Sequence, residues 1–391
     1  MIDFDFVAPT KLFFGEGAEL RLGQILEGYG VKSLLLVYGG GSIKRSGLYQ
    51  TVVSQLTQKG IHFEELSGIR ANPTRESVLQ GVEKTRKSRF DLILAVGGGS
   101  VIDASKAIGV GAFYSGDPFD FNLKKVVPAK TIPVGVILTI ASAGSEMSNS
   151  CVISNDATGV KQGFNSDVVR PLFAIEDPVL TYTVPPYQTA AGFCDTMMHS
   201  LERYFGASDS MQLADDWALD LVKNAMKAGV AALNDPNDYQ ARASLMLDSS
   251  LSHNGYTGIG KKYSFVVHPL EHALSGYRPD ITHGAGVALL FPAWASYVYK
   301  LALGKFARMG RALFNLEGDS EEEMAIMGIA AMKDFFHSVG MPVSFKEIGI
   351  AEKDIKPLCD LASGNGTRVI GCYPQSLNRQ DIEAIYRSLL D

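Results

Sequence analysis

The run Asp91-Leu-Ile-Leu-Ala-Val96 passes directly into Gly97-Gly98-Gly99-Ser100 and then into a helical pattern from about Val101. An unbroken apolar run of this length reads as a strand buried on both faces, the habit of parallel sheets. A parallel strand needs a crossover to the next one, and that crossover is right-handed. The glycines indicate what the turn is for. Without Cβ atoms the backbone can come close to a phosphate, and the following helix offers free N–H groups and the positive end of its dipole. Asp103, in the first turn of that helix, suits the same dipole. The motif is not GxGxxG, so the usual dinucleotide fingerprint is absent.

The same grammar recurs along the first half. Ser33–Val37 reads as a strand, followed by Tyr38-Gly39-Gly40-Gly41-Ser42 and a helix from about Leu48 to Lys59. Ile132–Leu138 and Leu172–Ile175 read as further strands. This alternation predicts an α/β domain with a parallel sheet over residues 1–184. After Thr183-Val-Pro-Pro186 the character changes. Tyr187–Phe205, Asp209–Leu233, Asp238–Leu251 and Ser320–Val339 all carry helical patterns, and Pro185 and Pro186 suit a helix start. An all-α domain over 185–391 is therefore expected. A chain of 391 residues is long enough for two cores.

The second glycine turn bears on the choice of dinucleotide. At the end of such a strand an acidic residue commonly holds the ribose 2′-OH and repels a 2′-phosphate. Here Gly40, Gly41 and Ser42 hold that place, with Lys44 and Arg45 just beyond. Small residues leave room for a phosphate, and a hydroxyl and cations can bind it. NADP(H) is favoured over NAD(H).

Composition excludes several classes. A net charge of −6 without a basic run argues against nucleic acid as a partner. Cys151, Cys194, Cys359 and Cys372 form no CxxC and suggest a reduced, cytoplasmic protein. The N-terminal residues show no signal-peptide pattern. The apolar stretch Val287–Leu303 is interrupted by Pro292 and Lys300, so no membrane partner is expected.

The helical half concentrates ligand chemistry. Asp195 and His199 are spaced i, i+4 in an apolar stretch, which puts both on one helix face. His268 and His272 repeat that spacing, and His283 follows. Buried carboxylate and imidazole groups are costly unless paired or metal-bound. One Asp and three neutral imidazoles suit Fe²⁺ or Zn²⁺. Five candidates exceed a four-ligand site with an open position, so one histidine stands outside the ligand set.

The segments YGGGSIKRSG (38–47), ANP (71–73), AVGGGSVIDASK (95–106), TIASAGSEMS (139–148), GVKQGF (159–164), EDPVLTYTVPP (176–186), GFCDTMMHSLERYF (192–205) and HPLEHALSGYRPDITHG (268–284) together resemble the iron-containing (group III) alcohol dehydrogenase family. The resemblance covers nearly the whole chain and is nearest to the family's NADPH-dependent butanol dehydrogenase and broad aldehyde reductase branch. It implies a dehydroquinate synthase-like architecture and interconversion of primary alcohols and aldehydes by hydride transfer. It also implies a homodimer. The family's metal ligands fall on Asp195, His199, His268 and His283, with Asp195 and His268 serving the chemistry as well. His272 matches a position near the substrate and is a candidate for proton exchange. The pyrophosphate glycines match Gly97, Gly98 and Gly99, with Ser100 and Asp103. Thr139, Ser142 and Lys161 match the nicotinamide side, Asn72 an adenosine-side contact, and Gly40, Gly41 and Ser42 the 2′-phosphate place. One departure is a His268–His283 separation one residue longer than the family's, with the extra residue in Ser275–Pro279, read as a loop. A dehydroquinate synthase-like lyase should carry a glutamate at 195 and a basic cluster, and the chain has neither. The same fold could also serve a glycerol dehydrogenase-like enzyme or a non-catalytic NADP-binding sensor. The GGGSIKRSG turn speaks against the first and the intact Asp/His set against the second.

Overall fold

The computed structural model describes residues 2–207 and 211–390. Eight strands in this part of the chain are β1 (Lys11–Phe14), β2 (Ser33–Tyr38), β3 (His62–Leu66), β4 (Leu92–Gly97), β5 (Val134–Leu138), β6 (Ser150–Asn155), β7 (Val160–Asn165) and β8 (Phe173–Glu176). Six form one sheet in the order β1-β8-β5-β4-β2-β3, parallel throughout. β6 and β7 form a separate antiparallel hairpin.

The central strands explain their own composition. Along β2, Leu34, Leu36 and Tyr38 join the core on one face of the sheet, while Leu35 and Val37 join the core on the other. Strand side chains alternate between faces, so a strand covered on both sides must be apolar at every position. The four strands not expected from the sequence lack that signature. β1 and β3 are the sheet edges, and β3 carries Glu64 and Glu65. The hairpin strands Ser150–Asn155 and Val160–Asn165 are partly exposed and mix polar with apolar residues.

The chain divides into two compact units. The α/β unit comprises Val7–Val184 together with Pro236–Ser250. The helical unit comprises Met1–Phe6, Pro185–Asp235 and Leu251–Asp391. These units differ from a simple division into 1–184 and 185–391 at two places: Met1–Phe6 falls with the helical unit, and most of the helix Tyr239–His253 with the α/β unit. The predicted helix over Asp209–Leu233 spans Gln212–Asn234, and Asp209 itself lies outside the described residues. In the helical unit no strand occurs among the described residues beyond isolated bridges. No described helix is long and apolar enough to cross a membrane.

Candidate metal centre and dinucleotide loops

The helix Pro186–Tyr204 is buried along its length from Thr189 onward. It carries Asp195 and His199 one turn apart, then Glu202 and Arg203 on the next turn. His268 lies in the first turn of the helix Val267–Tyr277, and His283 is the first residue of His283–Val298. Ser275–Tyr277 is thus the end of a helix rather than loop, and the irregular connection is only Arg278–Thr282. Gly284 sets the approach of His283. A Cβ at Gly284 would lie 1.9 Å from the Ala191 carbonyl oxygen, so only glycine lets this helix start lie against the backbone one turn before Asp195.

Three imidazole nitrogens converge on one carboxylate oxygen. Nε2 of His199, His268 and His283 lie 3.5, 3.4 and 3.7 Å from Asp195 Oδ1. A tetrahedral ion with ligand bonds of about 2.1 Å holds neighbouring ligand atoms about 3.4 Å apart. Asp195, His199 and His268 bring ligand atoms within 4.8 Å of one another and fit a divalent ion, with His283 beside the Asp195 oxygen. The opposite ring nitrogens add a second test. His268 Nδ1 is hydrogen-bonded to Glu202, and His283 Nδ1 to Glu271. A carboxylate on Nδ1 keeps the proton there and leaves the Nε2 lone pair for a metal. Nε2 of His268 is buried and makes no hydrogen bond. Glu202 is itself anchored, since its Oε1 accepts the Val266 and Val267 N–H groups.

The electrostatics follow. Burial alone disfavours a charged His268, but the Glu202 and Asp195 carboxylates hold its pKa up at about 9. Burial, with His253, His268 and Arg203 nearby, pushes His199 well below its ordinary value. His199 is enclosed by the rings of His253, His268 and Phe265 at 3.9, 4.3 and 5.6 Å. Arg203 steadies that wall. Its guanidinium donates to the His199 and Ser252 carbonyls and to His253 Nδ1, and lies 4.9 Å from the Phe265 ring centre. His272 is partly exposed, with its ring 5.6 Å from His283 and 6.5 Å from His268. Glu271, His272 and His283 also bring ligand atoms close together, but Glu271 binds the Nδ1 side of His283.

The sequence reading missed Glu202, Glu271, Arg203 and His253. Glu202 could have been found as a charge three residues beyond His199 in a stretch too apolar to leave it in water.

In the α/β unit the candidate cofactor residues follow adjacent strands. Gly40 to Ser42 follow β2, Gly97 to Ser100 span the end of β4 and the start of the helix Gly99–Gly111, and Thr139 and Ser142 follow β5. The carboxyl ends of neighbouring parallel strands are where such sheets bind ligands. A Cβ at Gly98 would sit 2.4 Å from Ile140 Cγ2. Asn72 is buried and holds a left-handed φ of 54°, a conformation asparagine tolerates. Lys161 is buried on the hairpin. Asp103 turns its carboxylate inward, accepting from Ser145 Oγ at 2.6 Å and the Val152 N–H at 2.9 Å. Burial raises its pKa, opposed by Lys106. Lys106 is fully buried, and its Nζ donates to the carbonyls of Ser145, Ser148 and Ser150. Asp103 and Lys106 thereby tie the 145–152 segment to the glycine-turn helix. That buttress was also missed from sequence.

Comparison with known proteins agrees over the full length. Residues 9–178 match the family described as iron-containing alcohol dehydrogenase, and residues 189–390 match the C-terminal region of the Fe-containing alcohol dehydrogenase family. NADH-dependent butanol dehydrogenase A of Clostridium acetobutylicum is 39% identical over 389 residues, covering 99% of each chain. The NADPH-dependent aldehyde reductase YqhD of Escherichia coli is 31% identical over 376 residues, covering 95% of each. The crystal structure of NADH-dependent butanol dehydrogenase A from Thermotoga maritima superposes with a TM-score of 0.96 at 36% identity, covering 100% of this chain and 99% of that one.

Proposed function

Because this chain belongs to the iron-containing alcohol dehydrogenase family, and so interconverts alcohols and aldehydes with a divalent metal and a nicotinamide dinucleotide, we propose that Asp195, His199, His268 and His283 hold the ion and that NADP(H) is preferred for short primary substrates. The observation that carries the metal assignment is the set of three Nε2 atoms 3.4–3.7 Å from Asp195 Oδ1. A divalent ion bound there supplies Lewis acidity toward the substrate oxygen, while the dinucleotide supplies or takes the hydride.

The chain's own groups do the rest. Asp195 brings negative charge to the ion and moderates its acidity. Glu202 and Glu271 retain the Nδ1 protons of His268 and His283, which fixes ring orientation as well as tautomer. His272, beside His283 and partly exposed, exchanges the alcohol proton with solvent. Gly97, Gly98, Gly99 and Ser100 present backbone N–H groups to the pyrophosphate. Asn72 contacts the adenosine side, and Thr139, Ser142 and Lys161 contact the nicotinamide side. Asp103 acts by holding Ser145 in place.

The NADP(H) preference is supported by Gly40, where a Cβ would meet nothing within 4 Å, and by the cations that follow. Lys44 lies 5.3 Å from the Tyr38 ring centre and 4.7 Å from that of Tyr49, and both hydroxyls donate to Glu65. Named relatives include both NADH- and NADPH-dependent enzymes. The protein is therefore assayed with butanal and either reduced dinucleotide, after chelation and again with Fe²⁺ or Zn²⁺ restored. Activity that needs the ion and a higher kcat/KM with NADPH are expected. Full turnover by the chelated protein would refute the metal assignment, and a preference for NADH would refute the cofactor one. Gly40→Asp should lower kcat/KM for NADPH about tenfold relative to NADH, by placing a charge beside the 2′-phosphate.

A further inference from the structure

We propose that Ser249 and Ser250 position the dinucleotide by fixing the loop Ser142–Glu146, with Ser250 bridging a single proton shared between Glu146 and Glu176. This rests on the reading that the loop after β5 lines the nicotinamide side. All the groups concerned lie within the α/β unit.

Ser249 Oγ accepts the backbone N–H groups of Ser142 and Gly144, each at 3.1 Å. A hydroxyl on a helix thus substitutes for the ladder partners that an irregular loop lacks. Ser250 Oγ lies 2.8 Å from Glu146 Oε1 and 2.6 Å from Glu176 Oε1. A hydroxyl has one proton to donate. It cannot donate to two carboxylates, so one contact must run the other way, from a protonated carboxyl to the serine oxygen.

The surroundings agree with the proton count. Glu176 is wholly buried at the end of β8, and Glu146 is 1% exposed. Glu176 Oε2 is buried without a hydrogen-bond partner, which is costly for an anion and tolerable for a neutral acid. Burial raises the pKa of both acids, and the Glu146 charge raises Glu176 further. The Lys106 ammonium lies close enough to favour an ionised Glu146. The proton therefore rests mainly on Glu176, with Ser250 relaying a hydrogen bond to an ionised Glu146. Both serines and Glu146 thereby bear on one short loop, and Glu176 anchors them to the sheet.

Two measurements test this in the full-length protein. Infrared difference spectra at neutral pH between the parent and Glu176→Gln should show the loss of one protonated-carboxyl band, and that band should persist in Glu146→Gln, because the proton rests on the buried Glu176. The amide of Glu176→Gln can donate to Ser250 and that of Glu146→Gln can accept from it, so both variants keep the hydrogen-bond pattern. In Ser249→Ala, dissociation constants for NADPH and NADH should rise about tenfold while kcat at saturating dinucleotide stays within about twofold, the effect of removing the acceptor shared by the partly buried Ser142 N–H and the buried Gly144 N–H. A Glu176→Gln spectrum that still carries the band, a Glu146→Gln spectrum that loses it, or dinucleotide binding unchanged in Ser249→Ala overturns the proposal. Failure of the underlying cofactor reading looks different, because then a bulky substitution at Thr139, which also follows β5, leaves dinucleotide binding unchanged as well.

Discussion

The two units carry their chemistry on different parts of the chain. In the helical unit the candidate ligand atoms are side-chain atoms, and two of the three imidazoles are aimed by a further side chain, Glu202 behind His268 and Glu271 behind His283. In the α/β unit the candidate contacts are mostly backbone, and what matters at Gly97, Gly98 and Gly99 is the side chain that is missing. A side-chain centre fails when a functional group is deleted. A backbone cradle fails when an atom is added. The two should therefore break under opposite kinds of substitution, and each should break without disturbing the other's ligand.

The largest effect is expected from deletion at the centre. His268→Ala should lose bound metal and lower turnover about a thousandfold, several kcal/mol of electrostatic stabilisation, while dinucleotide binding persists. Metal analysis with dinucleotide titration checks both halves, and joint loss of the two ligands would erase the contrast. Next comes Glu202→Gln, which leaves every ligand in place but replaces the carboxylate that holds the Nδ1 proton. Metal affinity should fall about 10- to 100-fold, read by competition with a chelating dye. Unchanged affinity would mean that His268 needs no outer partner. The converse experiment adds a single carbon. Gly98→Ala places a Cβ 2.4 Å from Ile140 Cγ2, and dinucleotide affinity should drop about tenfold with metal content intact.

The smallest effect concerns the edge of the α/β unit. Burial, and a hydrogen bond with Asp177, raise Glu19 to a pKa of about 7. A carboxyl raised above its unfolded value contributes stability at acid pH and loses it as pH climbs from about 4.5 toward 7. Glu19→Gln should flatten that decline by about 1 kcal/mol, allowing for partial exposure. Thermal melts across this range are the measurement, and a slope equal to the parent's would show that Glu19 titrates normally.

The same contrast explains what could be read from the sequence. The buried strands β2, β4 and β5 announce themselves because both faces are covered and every position is apolar. Asp195 and His199 are legible because a helix repeats every 3.6 residues and the surrounding stretch is apolar. What stayed hidden depends on long-range pairing. Glu202 and Glu271 look like ordinary helical glutamates until the fold brings them to His268 and His283. Edge strand β3 shows two glutamates where a buried strand would show leucines. Lys106 resembles a solvated helix lysine, and only the fold reveals its carbonyl acceptors. The placement of Pro236–Ser250 with the α/β unit has no local signature, because any amphipathic helix reads alike whichever core it joins.

That last helix has a consequence for synthesis. Ser249 and Ser250 come into being some sixty-five residues after the α/β unit's main segment ends at Val184. A ribosome building this protein must release the start of the helical unit before the earlier unit can acquire its closing piece. The nascent Ser142–Glu146 loop waits through that interval without its serine partners, so its final conformation belongs to the late stage of translation, after both units are under way.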